Sequence, residues 1–309
     1  MKLSIIVTTR NRKEDLLNCI ESIKKANISN YDWELIVVDD NSNDGTEKIT
    51  FDEFGVSNGK IIRNLAQQMM VKSRNTGAKE ARGEYALFID DDNIVDKNMV
   101  EVLLKFAKHN SNYGIIGPSM YFLKNKKKYL DFQKINFFTG GTTGKIDNSE
   151  KEVCDSDGIP NAFLIKKEVF NKCGFFNEQL IQTFTEPDFA FNALKCGYKC
   201  GIIKKAKIYH NISPDNSLTP RTLGGQFSQK AYCLMRNRTI IVCRYGKWHQ
   251  EIIYLLFFSW FWPLTYSIMV LKEKRFDLIK LYWRGFFDGI GYFFTGKISK
   301  FTKKVTEGL

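Results

Sequence analysis

Three features of this 309-residue chain predict an α/β fold with a mostly parallel, doubly wound sheet and flanking helices, followed by a C-terminal helical region that associates with a membrane. Short β-rich apolar runs alternate with helical stretches through residues 1–220. Acidic clusters stand directly after two of those runs. Positive charge and aromatic rings crowd into residues 221–309, around an uncharged run of twenty residues.

Domains average roughly 150 residues, so the length predicts about two folding units, placed at 1–220 and 221–309. Charged residues at 26% beside hydrophobic residues at 43%, with 6 prolines, exclude a disordered or collagen-like chain. Leu3 to Thr8 is a continuous β-rich run, as expected of a strand buried on both faces. Leu16, Ile20 and Ile23 then recur at helical spacing. Glu34 to Val38, Lys60 to Arg63 and Tyr85 to Ile89 read as further strands, with a helix over Ser73 to Ala81.

In sheets of this kind ligands bind outside the carboxyl ends of the strands, so the residues following each strand matter most. The first strand ends in Thr8-Thr9-Arg10-Asn11, the second in Asp39-Asp40-Asn41-Ser42-Asn43-Asp44-Gly45-Thr46, and the fourth in Asp90-Asp91-Asp92-Asn93. Adjacent carboxylates repel unless a cation or hydrogen bonds compensate, which points to a divalent ion or to a solvated turn. The same residues are also good turn and N-cap material. Hard oxygen ligands favour magnesium or manganese.

The cysteines number 7 and are scattered; Cys196 and Cys200 lack the second pair or nearby His of a zinc site, and plain thiols are expected. With a Met-Lys-Leu-Ser start rather than an apolar leader, a reducing cytosolic setting is expected. The net charge of +12 is uneven: residues 1–220 hold 31 basic and 29 acidic residues, and residues 221–309 hold 15 and 5. Four of the five Trp lie between Tyr245 and Phe294. Such a mixture suits an anionic membrane boundary, and also single-stranded nucleic acid. The run Ile252 to Leu271 favours the membrane: it is uncharged, long enough to cross a bilayer, interrupted by Pro263 and flanked by Lys247, Lys272, Lys274 and Arg275. Nucleic acid is not expected as a partner. A buried core helix is the alternative.

The ordered motifs SIIVTTRNR, ELIVVDDNSNDGT and SRNTGAKEARGEYALFIDDDN, over residues 2–212 with the segments below, resemble family 2 glycosyltransferases of the GT-A nucleotide-sugar fold. The resemblance implies that Asp40 reads the nucleotide base, with Thr8 and Arg10 beside it. It makes Asp90-Asp91-Asp92 the DXD motif, with Asp90 at the ribose or metal and Asp92 on the metal. Arg74 and Asn75 fall in a stretch the family uses near the nucleotide; Arg74 reads equally as a surface residue of its helix. Gly158 to Ile165 resembles the acceptor-side strand, and Thr185-Glu186-Pro187-Asp188-Phe189 resembles the catalytic acidic motif. Where the family has Glu-Asp, this chain has Thr185-Glu186, so the base falls to Glu186 or Asp188, with Glu186 aligned to the base position. Otherwise both are N-terminal helix charges that complement the dipole. His210, after the run AKIY, matches a His beside the metal or diphosphate.

The implied activity is inverting transfer of a sugar from a nucleotide-diphosphate donor to a hydroxyl, with Mg2+ or Mn2+ neutralising the leaving diphosphate. Arg236-Asn237-Arg238 and the run YWRGFFDGIG resemble tails of members acting on lipid-linked acceptors, which implies a membrane glycan acceptor and the cytoplasmic membrane face. Thr139 to Gly144 reads as a mobile acceptor-side loop or as an exposed hairpin. Two other activities fit the same fold: a sugar nucleotidyltransferase, against which TTRNRKED lacks the expected glycine, and a catalytically silent membrane-bound binding module.

Overall fold

The computed structural model describes residues 2–212 and 229–302; the boundary expected at 220/221 lies outside them. The chain divides into two compact units. The described part of the first comprises residues 2–134, 144–176 and 189–212, and that of the second 135–143, 177–188 and 229–302.

The first unit is built on one large sheet. Its strands are β1 (Lys2–Thr9), β2 (Asp32–Asp39), β3 (Gly59–Arg63), β4 (Tyr85–Asp90), β5 (Asn93–Val95), β6 (Tyr113–Phe122), β7 (Lys128–Leu130), β10 (Val153–Asp155), β11 (Ala162–Lys166) and β12 (Lys199–His210). β8 (Phe132–Asn136) and β9 (Gly141–Lys145) form a separate two-stranded ribbon. The spatial order is β10-β12-β6-β11-β4-β1-β2-β3, with β5 beside β12 and β7 beside β6. β4, β1, β2 and β3 run parallel, as do β12 and β6, whereas β11 runs against both β4 and β6. Leu3, Ile5, Ile6 and Val7 of β1 and Leu35 to Val38 of β2 are buried, which explains why these runs do not alternate with polar residues.

The flanking helices are α1 (Lys13–Lys24), α2 (Met69–Glu80), α3 (Met99–His109), α4 (Lys167–Cys173) and α5 (Thr185–Lys195). α2 packs closely on the sheet because residue 77 is glycine: a Cβ there would collide with the Ile6 side chain. The helix begins at Met69 rather than at the expected Ser73. The reason is the Asp40 carboxylate, which accepts hydrogen bonds from the backbone N–H groups of Gln68 and Met69 at 2.7 and 2.9 Å and so satisfies donors that the first turn leaves open. Asn75 then holds the Phe176 backbone on both sides, donating to its carbonyl at 2.9 Å and accepting from its N–H at 3.0 Å.

Two strands also differ from expectation. β12 runs on to His210, which is its last residue instead of following a short AKIY strand, and a register shift between Ile203 and Lys207 interrupts its pairing with β6. Of the stretch Gly158 to Ile165 only Ala162 onward is strand, since Pro160 has no N–H to give and Asn161 adopts φ +69.

In the second unit α6 (Gln229–Tyr245), α7 (Trp248–Ile253), a π-helical turn (Tyr254–Phe258), α8 (Phe261–Lys272) and α9 (Phe276–Thr295) follow one another. α6 and α9 run in the same direction: Gly285 faces Tyr232, and Gly289 faces Arg236 and Thr239. A Cβ on Gly285 would collide with the Tyr232 carbonyl oxygen, so the small-xxx-small spacing is what lets the backbones meet. Ala231, Met235, Val270, Leu278 and Tyr282 form the apolar core. Asn237 donates to the carbonyls of Leu180, Gln182 and Thr183 at 2.9, 2.7 and 3.0 Å. Thr139 and Gly140 lie at the turn of the β8–β9 hairpin, as the hairpin reading expects, and this turn is tied down. Trp262 Nε1 donates to the Thr139 carbonyl at 2.6 Å and Arg238 donates to that of Gly140 at 2.7 Å. Among the described residues one helical stretch, Trp248–Lys272, is long and apolar enough by length and composition to cross a membrane.

Candidate active site

β1, β2 and β4 are neighbours, so their carboxyl ends place the polar residues that follow them along one rim. Thr8 lies opposite Asp90 in the β1–β4 register. The Asp40 N–H donates to the Thr9 carbonyl at 2.9 Å, and Thr9 Oγ1 donates to Asp91 Oδ2 at 2.8 Å. Asp40 and the acidic triplet are therefore joined through Thr9, a residue that sequence reasoning passed over. The Asp40 carboxylate also accepts from Asn64 Nδ2 at 2.8 Å. With Gln68 and Met69, that fills three of the roughly four acceptor positions a carboxylate offers. Arg10 follows β1 and is half-buried.

The three aspartates have different surroundings. Asp90 Oδ1 pairs with Arg74 at 2.7 Å. Arg74 is not a surface residue: it is 1% exposed, with its guanidinium 5.2 Å from the Phe163 ring centroid. Asp91 is buried and accepts from Thr9 and, at 3.0 Å, from Arg12. Burial pushes its carboxyl up to about 7, with Asp92 and Asp90 adding to the rise, while Arg12 and the Thr9 hydrogen bond oppose it. Asp92 Oδ2 faces Arg12 at 3.2 Å, and its Oδ1 lies 3.5 Å from His210 Nε2.

Arg12 thus spans two carboxylates. Burial acts to lower its pKa, and the charges of Asp91 and Asp92 more than offset this and raise it. Sequence reasoning missed this residue, although the repulsion expected among three adjacent aspartates called for a cation and TTRNR supplies two. A third missed residue is Tyr129. Its hydroxyl and the Asn161 amide each lie 3.0 Å from His210 Nδ1 and 3.1 Å from each other, so the far edge of the imidazole is fixed while Nε2 faces Asp92.

Among the described residues no group of three or more His, Cys, Asp and Glu side chains is gathered into a ready-made metal cage. The pair that could share a cation is Asp92 and His210. Glu186 and Asp188 lie in the first turn of α5, within the second unit. Asp188 is 3% exposed; its Oδ1 accepts from the Tyr245 hydroxyl at 2.9 Å and stands 3.4 Å from Arg244 Nε. Glu186 is half-buried and accepts from Thr185 Oγ1 at 2.8 Å.

Comparison with known proteins gives several glycosyltransferases among the relatives. The chain is 28% identical over 187 residues to the poly(ribitol-phosphate) β-N-acetylglucosaminyltransferase TarP of Staphylococcus aureus, covering 60% of this chain and 54% of that protein. It is 34% identical over 194 residues to an uncharacterized glycosyltransferase of Haemophilus influenzae, covering 62% of each. The chain therefore spans about half to three fifths of these relatives. It is also 32% identical over 120 residues, 37% of this chain and 46% of the relative, to WfgD of Escherichia coli, a UDP-Glc:α-D-GlcNAc-diphosphoundecaprenol β-1,3-glucosyltransferase. Among solved structures, GalNAc-T7 with UDP, GalNAc and Mn2+ superposes with a TM-score of 0.62 at 16% identity over 78% of this chain and 48% of that one. Staphylococcus aureus TarS with UDP-GlcNAc gives 0.55 at 18% identity over 82% and 70%. These likenesses show the GT-A fold. The sequence model of glycosyl transferase family 2 matches residues 4–174, more than half the length, and the chain belongs to that family.

Proposed function

We propose that the chain is an inverting glycosyltransferase that moves a sugar from a nucleoside diphosphate onto a hydroxyl of a membrane-held glycan acceptor. The observation that carries this reading is the rim itself: Asp40, Asp91, Asp92 and His210 come from separate segments of the sequence to one end of the sheet, where ligands of such folds bind. UDP in the crystals of TarS and GalNAc-T7 makes a uridine nucleotide the first donor to test. TarP and WfgD act on a poly(ribitol phosphate) and on a diphosphoundecaprenol-linked sugar by name, which supports an acceptor of the cell-envelope kind.

The residues fit Mg2+ or Mn2+. Such ions take few protein ligands and fill their shell with water and substrate phosphate oxygens, so Asp92 Oδ1 and His210 Nε2 are sufficient. The His210 ring is held at Nδ1 as metal-binding imidazoles commonly are. When bound, the ion would supply positive charge to the departing diphosphate. The remaining work belongs to the chain. Asp40 and Thr8 face the nucleoside, Arg10 lies beside them, and Arg74 fixes Asp90 toward the ribose or the cation. Asp91, tied to Thr9 and Arg12, holds the acidic turn in shape. Glu186 takes the proton of the acceptor hydroxyl. It is the more accessible of the two carboxylates, since Asp188 is enclosed and engaged by Tyr245 and Arg244. A direct displacement needs one base and inverts the anomeric carbon, whereas retention would require a second, nucleophilic carboxylate.

A thermal-shift panel of UDP, GDP and dTDP with and without Mn2+ tests the donor site. UDP with Mn2+ is expected to raise the melting temperature most, because a ligand bound only by the folded form stabilises it. Glu186→Gln is expected to keep that shift and to lower transfer by about a hundredfold or more. No shift with any nucleotide would refute the site.

A further inference from the structure

The stretch Trp248–Lys272 has two faces of different character. Trp248, Ile252, Leu256, Trp260, Leu264 and Ile268 recur at intervals of four residues and are between 41% and 74% exposed. Between Ile252 and Leu271 no charged residue interrupts them. The opposite face is occupied. Tyr254 is 1% exposed, with its hydroxyl 2.9 Å from Thr239 Oγ1 of α6. Val270 is fully buried against α6 and α9. Trp262 lies under the Arg238 guanidinium, 3.9 Å from the ring centroid.

We infer that this stretch lies flat in the surface of an anionic bilayer, outer face down, and does not cross it. A helix that crosses needs lipid or apolar helices all round, and the inner side of this one meets Arg238 and Thr239 of α6. α6 and α9 run in one direction, so the stretch between them returns along their length, and a crossing would carry both into the hydrocarbon. α6 holds Arg236, Asn237 and Arg238, and α9 holds Lys280, Arg284 and Asp288. Charges at that depth are rare and expensive. Lying flat, the same helices remain in water above an apolar stripe, the arrangement of an interfacial amphipathic helix.

The occupant follows from charge. Lys247 and Glu251 stand at one end of the stripe, and Lys272, Glu273 and Lys274, with the paired Arg275 and Asp277, at the other. Residues 221–309 hold 15 basic and 5 acidic residues, an excess that a second copy of the same segment would repel and that an anionic surface attracts. Anionic headgroups neutralise that excess, and Trp248 and Trp260 suit the boundary between headgroup and acyl chain. This inference deepens the reading of a membrane-held acceptor and rests on it for its purpose. Its failure is nevertheless separable, because vesicle binding without transfer would refute the acceptor and leave the surface intact.

The test uses the full chain with sealed vesicles of phosphatidylcholine and phosphatidylglycerol, beside phosphatidylcholine alone. Binding is expected to the mixed vesicles, with tryptophan emission quenched by bromine placed near the headgroups and not by bromine at the chain ends. Trp260→Phe is expected to remove part of that shallow quenching. Leu256→Glu with Ile268→Glu, both on the outer face, is expected to lower the bound fraction by about tenfold or more while the UDP-induced melting shift is unchanged. Strong quenching of Trp260 by chain-end bromine would mean a crossing helix and would overturn the proposal. Absence of binding to mixed vesicles would overturn it too, as would self-association abolished by the double variant, which would assign the face to a second copy.

Discussion

Asp91 shows burial and charge in opposition within one side chain. Its folded-state carboxyl titrates near 7 instead of 3.8, chiefly because it is buried. Between those values the folded chain holds a proton that the unfolded chain has released. The contribution of this group to stability is therefore full below the lower value and is lost as pH rises through the upper one. For the metal-free protein, melting temperature followed across this window should decline with rising pH on account of Asp91, and Asp91→Asn should flatten the decline. An unchanged slope in the variant would assign the effect elsewhere. The neighbouring His210 carries a second expectation. Tyr129→Phe removes one of two groups that orient the ring, and Mn2+ affinity measured by calorimetry should fall about tenfold, a typical loss for an outer-shell partner. These residues mark the limit of what the chain discloses in one dimension. The aspartates could be read because they follow apolar runs directly. Tyr129 could not, since only the antiparallel course of β7 beside β6, and the parallel course of β6 beside β12, brings it to His210.

At the scale of elements, β1, β2 and β4 were legible as unbroken apolar runs because both faces of each are covered. β12 was not. Lys204, Lys205 and Lys207 and the register shift at its centre hide the period on which recognition of a strand depends. The start of α2 was misplaced for a related reason: its first turn is secured by Asp40, a side chain from the end of another strand. Packing of α9 on α6 makes a sharper prediction. Gly285→Val puts a branched side chain where a single Cβ already meets the Tyr232 carbonyl, and should destabilise the second unit by roughly 3 kcal/mol. Chemical denaturation followed by far-UV circular dichroism reads this directly. Gly291→Ala, where a Cβ meets nothing, serves as the control.

For the whole molecule, the charge imbalance is the feature composition disclosed best. The excess of +2 before residue 221 and +10 after it concentrates the cationic surface on the later part of the chain. Attraction of that part to anionic vesicles should weaken as salt shortens the screening length from about 10 Å at 0.1 M to about 3 Å at 1 M. A remainder carried by the apolar stripe should survive, and sedimentation at the two ionic strengths separates the two contributions. Composition could not show how the chain is partitioned. Residues 135–143 and 177–188 belong with the helices at the far end of the sequence, drawn there by Asn237, Arg238 and Trp262.

The π-helical turn at Tyr254–Phe258 sets the angular phase of everything after it. Its wider loop lengthens one step of the inward series, from Tyr254 to Ser259, before the series resumes through Pro263, Ser267 and Val270. Each α-helical residue advances by about 100°. Deleting Phe257 would therefore shorten the step from Tyr254 to Ser259 to the four residues of an ordinary α-helix and leave Val270 facing inward, whereas one residue added in a regular turn would carry Val270 about 100° away from its socket. The widened turn swallows one surplus residue, so that two halves of a long rod keep facing the same way.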